Sequence, residues 1–80
     1  MDEAELVVCQ TIRRAREQKG LTQAQLAERL GVHRGTVSRV ETGKRALELG
    51  EFFDWADALG IGDEELFAAI TTGVTKVYAA

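Results

Sequence analysis

The chain has no proline, one cysteine and one histidine among its 80 residues. With no proline, and no strand-like alternation before the last ten residues, an all-α fold is expected. A single thiol, Cys9, excludes an intrachain disulfide and a cysteine-based metal site, and it fits a reducing, cytoplasmic setting. The lone His33 has no second His or free Cys at ligand spacing, so no metal and no cofactor are expected. No charged-then-apolar leader opens the chain, and no run approaches the ~18 apolar residues of a membrane helix. A soluble protein without a membrane partner is the expectation. Enzyme chemistry has little to work with, because there is no Gly-rich phosphate loop and no acid–base pair in a cleft.

The apolar content of 45% with five aromatics (three Phe, one Trp, one Tyr) is enough for one modest helical core. The formal net charge is -3, but the charges are segregated. Residues 13–45 hold nine of the ten Lys/Arg against Glu17, Glu28 and Glu41, a local charge of +6. Residues 1–12 carry -3 and residues 46–80 carry -6. Because salt screens charges beyond ~8 to 10 Å, the local patch matters more to a partner than the total. A basic middle between acidic ends suits a surface with one phosphate-facing side, the alternative being a set of plain solvated helix faces.

The centre of the chain is Gln23 to Glu41, QAQLAERLGVHRGTVSRVE. Leu26 and Leu30 are one helical turn apart, and Val37 and Val40 fall on one face of a second short helix. Gly31 suits the left-handed conformation that ends a helix, and only Gly31 to His33 remain to join the two. So short a link forces a sharp crossing at which small Ala27 sits, the helix-turn-helix arrangement. With the two valines buried, Arg34, Gly35, Ser38 and Arg39 point outward, and no carboxylate stands among them.

Around this pair, residues 2–19 read as a first helix with Leu6, Cys9, Ile12 and Ala15 inward and Asp2, Glu3 and Glu5 at its positive end. Arg16 lies at the edge of that stripe and needs a partner, for which Glu41 is a candidate. Thr22 and Gln25 have the spacing of a capping box, and Gln23 opens the second helix where a phosphate can sit. His33 falls at the N-cap of the third helix, as a turn residue or a contact to phosphate or base. Thr42-Gly43-Lys44-Arg45 is a glycine stop followed by two displayed cations. A fourth helix is expected over about 47–59 with Leu49, Phe52, Trp55, Ala56 and Leu59 inward and Phe53 partly exposed. A fifth starts at Asp63 with Leu66, Phe67 and Ile70 inward. The tail 71–80 alternates Val74, Lys76 and Tyr78 with Thr75 and Val77, and reads as a short strand, a dimer or partner arm, or disorder.

The blocks LTQAQLAERLGVHRGTVSRVETGKR, LxxFxxWADALGI and EELF, in that order, resemble the Cro and lambda-repressor type (XRE-like) helix-turn-helix family over about residues 10–70. The resemblance implies a five-helix DNA-binding domain over 1–70, with the helix-turn-helix at 22–42 and a short C-terminal arm at 71–80. Its third helix docks in the major groove of double-stranded DNA, commonly as a homodimer on a palindromic operator. By position, Arg34, Gly35 and Arg39 match base-contacting places, with His33 and Ser38 beside them. Gln23, Thr42 and Lys44 match phosphate contacts, to which the displayed Arg45 is added. Arg16 and Glu41 match an ion pair between the first and third helices. Three features depart from the family pattern: no proline follows Lys44, Glu48 stands where a helix cap is expected, and Gly35 replaces a side chain that many relatives use on a base.

The expected function is therefore a sequence-specific transcriptional regulator, with repression as the expected sign. The competing class is an antitoxin or restriction-modification controller-type protein whose acidic C-terminal half binds a protein partner.

Overall fold

The computed structural model describes residues 2–78, folded into five helices: α1 (Glu3–Gln18), α2 (Gln23–Leu30), α3 (Arg34–Glu41), α4 (Leu49–Leu59) and α5 (Asp63–Tyr78). Local chemistry sets the boundaries. Asp2 caps α1 by accepting the Glu5 N–H at 2.8 Å. Thr22 and Gln25 form the reciprocal box at the start of α2, each side chain accepting the other's backbone N–H at 3.0 and 2.8 Å. Gly31 ends α2 at φ 71°, and the next amide, Val32 N–H, reaches back to Ala27 O at 3.0 Å. Gly60 closes α4 in the same way, with Ile61 N–H bonded to Ala56 O.

The core lies where α1, α2, α3 and α4 converge and α5 closes over them. Ile12, Leu26, Val37, Val40, Leu59 and Leu66 are all at most 2% exposed, and Trp55 at 3% fills the space beside them. Burying each such aliphatic side chain contributes roughly 1.5–3 kcal/mol. Ala27 is buried at the α2–α3 crossing, as the short link requires. The result is a fixed angle between α2 and α3, with α1 packed against α3 from behind.

Several sequence expectations are corrected. Helix α4 begins at Leu49 and not Leu47; Glu48 precedes it, and its N–H is taken by Glu51 Oε1 at 3.1 Å. Leu49, expected inward, is 72% exposed, because it occupies the first turn of α4 and the core is built on the turns that follow. Phe67 is 54% exposed: neighbours on a helix are ~100° apart, so with Leu66 buried Phe67 turns outward. Leu6 is likewise half-exposed in α1.

The tail differs most. Residues 71–78 continue α5 and form neither a strand nor a separate arm; Ala79 and Ala80 lie outside the described residues. The partly buried positions here are Ile70, Gly73, Val74 and Val77, a helical spacing of three and four residues. Gly73 meets α1 so closely that a Cβ there would stand 2.6 Å from Val7 Cγ1.

Candidate nucleic-acid interface

Helix α3 is held by its inner face. Val37 and Val40 are 0% and 1% exposed, and Glu41 at the end of the helix is buried with them. A carboxylate in such a place needs partners. Arg16 supplies two, from Nε to Oε2 at 2.6 Å and from Nη2 to Oε1 at 3.0 Å, and Gln23 Nε2 supplies a third to Oε1 at 3.0 Å. Arg16 Nη1 also donates to Leu21 O at 2.7 Å. The Glu41 hydrogen bonds raise the Arg16 pKa above its ordinary value, against the opposing effect of burial. One network thus joins α1, the α1–α2 turn, α2 and α3, and fixes the angle at which α3 stands.

The outer face carries Arg34 and Arg39, both exposed, with Ser38 between them half-buried and Gly35 beside them. Arg34 makes no side-chain hydrogen bond or ion pair to a described residue. Arg39 makes a single long one, from Nη2 to Thr36 Oγ1 at 3.4 Å. His33 caps α3 with its backbone only: its carbonyl accepts Thr36 N–H at 2.9 Å, while the imidazole is exposed and makes no cap bond. Lys44 is exposed, held through its backbone N–H to Arg39 O at 2.8 Å, with its ammonium group free of described partners. Arg34, Arg39 and Lys44 therefore keep open side-chain donors.

Three candidate phosphate contacts are already engaged. The Gln23 side-chain amide gives one of its two N–H donors to Glu41. The Thr42 hydroxyl donates to Ser38 O at 2.8 Å, and its one proton is used there. Arg45 forms a bidentate pair with Glu51, Nη1 to Oε1 at 3.1 Å and Nη2 to Oε2 at 2.7 Å. This pair raises the Arg45 pKa and holds the Glu51 carboxyl below its usual range, with the Glu48 N–H adding to the second effect. Arg29 is also committed, donating to Ala58 O of α4 at 2.9 Å. Sequence pattern missed the Arg45–Glu51 pair because its six-residue spacing crosses a loop and matches no helical period. It also missed Thr36, whose three-residue distance from Arg39 was the available signal.

The helix-turn-helix family model matches residues 12–66, and the chain belongs to that family. It is a DNA-binding transcription regulator. The restriction-modification controller protein C.AhdI from Aeromonas hydrophila is 38% identical, with 79% of this chain and 96% of that one covered and a TM-score of 0.72. An XRE-family like protein from Pseudomonas syringae pv. tomato str. DC3000 is 29% identical, with 86% and 84% covered and a TM-score of 0.79. The controller protein C.Esp1396I, solved also as a tetramer on its natural 35 base-pair operator, shares the fold at 23% identity, with 92% and 97% covered and a TM-score of 0.85. No curated protein sequence matches the chain. No described helix is long and apolar enough to cross a membrane.

Proposed function

We propose that the chain is an operator-binding regulator of the restriction-modification controller kind, which inserts the outer face of α3 into the major groove as a two-fold homodimer. The observation that carries this reading is the open pair Arg34 and Arg39 on a helix whose opposite face is fully buried. A guanidinium takes O6 and N7 of guanine together, so each arginine supplies roughly 1–3 kcal/mol of discrimination. Ser38 and His33 flank them as secondary base contacts. Lys44 and the α2 N-terminal amides beside Gln23 take phosphates and set the register, and Arg45 joins them only when released from Glu51. Repression follows where the operator overlaps a promoter.

The homodimer reading rests on the exposed apolar face made by Leu49, Phe53 and Phe67, which are 72%, 50% and 54% exposed. Phe52 stands edge-on to both Phe53 and Phe67. A lone domain makes few base contacts, and pairing two of them matches a palindromic operator with half-sites about one helical turn apart. The controller-type reading is favoured over a general regulator by the 38% identity with C.AhdI across nearly that whole chain. A further protein partner on the acidic C-terminal half remains the competing use of the same face.

Selection from a random DNA pool, with sedimentation of the selected complex, tests both parts. The expected result is an inverted repeat bound by an even number of chains. Recovery of no preferred sequence would end the operator reading, and a monomer at micromolar concentration would end the dimer reading.

A further inference from the structure

Gly35 is the second residue of α3, and its φ is not among the positive values that favour glycine. The backbone there accepts any residue, and alanine is the better helix former. What the missing side chain leaves room for is Arg39. The Arg39 side chain leans back over the preceding turn, as helical side chains do. Its Nη1 stops 3.0 Å from where a Cβ at position 35 would be, with Cζ at 3.8 Å and Nη2 at 4.0 Å. On the neighbouring position Thr36 Oγ1 receives Nη2 at 3.4 Å. The guanidinium thus lies along the helix surface, over a glycine and beside a hydroxyl.

We propose that Gly35 and Thr36 form a seat for the Arg39 guanidinium, which makes position 35 a specificity-determining residue acting through Arg39. The proposal rests on the reading of Arg39 as a base-reading side chain. A seated guanidinium has fewer rotamers to lose when it meets a base, and its planar fork is already aligned along the helix. Arg34, one residue before the seat, has no such support. The two arginines therefore read their base pairs with unequal stringency, Arg39 the more selective.

The experiment is a two-by-two comparison of the parent, Gly35→Ala, Arg39→Ala and the double variant, on the selected operator and its single base-pair variants, with thermal melts of each. Gly35→Ala is expected to melt no lower than the parent. It should lower discrimination at the base pair read by Arg39 roughly three- to tenfold, through the off-seat guanidinium. It should leave non-specific binding unchanged and have no further effect once Arg39 is alanine. Thr36→Val, which removes only the acceptor, should give a smaller loss at the same base pair. Unchanged discrimination in Gly35→Ala would overturn the seat. So would a loss of equal size in the Arg39→Ala background, since the glycine would then serve the DNA backbone directly. If Arg39→Ala itself keeps the parent's base preference, the underlying reading fails, a result distinct from failure of the seat.

Discussion

The two faces of α3 differ in how far their polar groups are already satisfied. On the inner face, Glu41 receives three hydrogen bonds from Arg16 and Gln23 and is almost dry. On the outer face, Arg34 has no described partner and Arg39 has one long bond. The same residue type does opposite work in the two places. Arg16 is a brace that gives donors to Glu41 and Leu21 within the fold, whereas the donors of Arg34 and Arg39 are left open. Charge alone does not separate these roles. Arg45, displayed on a loop, belongs with the braces because Glu51 holds it.

The contrast is broken most severely from the inside. Glu41→Ala leaves the Arg16 guanidinium, 9% exposed, without its carboxylate and strands the Gln23 amide. A loss of about 3–5 kcal/mol is expected in urea unfolding, a large share of the roughly 4–12 kcal/mol available to a domain of this size. A loss below about 1 kcal/mol would mean that the network does not brace α3. On the outer face, Arg39→Ala should leave urea unfolding within about 0.5 kcal/mol of the parent, while discrimination at one base pair per half-site falls by about 1–3 kcal/mol. An equal loss on every sequence would make Arg39 a phosphate contact.

Lys44→Ala tests the cation held only by its backbone. Specific and non-specific affinity should fall together, and the slope of log affinity against log salt should flatten by about one. An unaltered slope removes Lys44 from the interface.

The smallest effect sharpens the boundary between the two classes of cation. Glu51→Ala releases Arg45, so the salt slope should steepen by up to about one without a change in base preference. Acid should act in the same direction. Because the folded Glu51 pKa lies below its ordinary value, the stability contributed by the pair is fully present above that ordinary value and is lost as pH falls through the lowered one. A partly exposed pair contributes little to stability, so the readout is DNA affinity and not the melt. Weaker binding by Glu51→Ala would show that the pair positions the loop for DNA.

The pattern of local signals made the helix-turn-helix legible. Thr22, Gln25 and Gly31 act within four residues of themselves, and their caps lie where the sequence places them. Val37 and Val40 likewise fix one buried face, from which the outward positions of Arg34 and Arg39 follow. The helix ends were less legible. Leu49 and Leu6 fit an apolar stripe, but whether a neighbour covers the first turn depends on packing that periodicity does not encode. The strand reading of the tail fails because the alternation of Val74, Lys76 and Tyr78 is incidental, while Ile70, Val74 and Val77 carry the helical spacing. Which cations are open was the least visible feature. Gln23 to Glu41 spans 18 residues and Arg45 to Glu51 spans a loop, so only the folded chain shows those donors as taken.

Methylation interference at guanine N7 is the most direct measurement, since N7 is one of the two acceptors a guanidinium takes in the major groove. With the parent protein, a methyl group at guanines within each half-site should abolish binding. Arg34→Ala and Arg39→Ala should each become indifferent to methylation at one of those guanines. Binding by the parent that is indifferent to N7 methylation throughout the site would contradict the placement of α3 in the major groove.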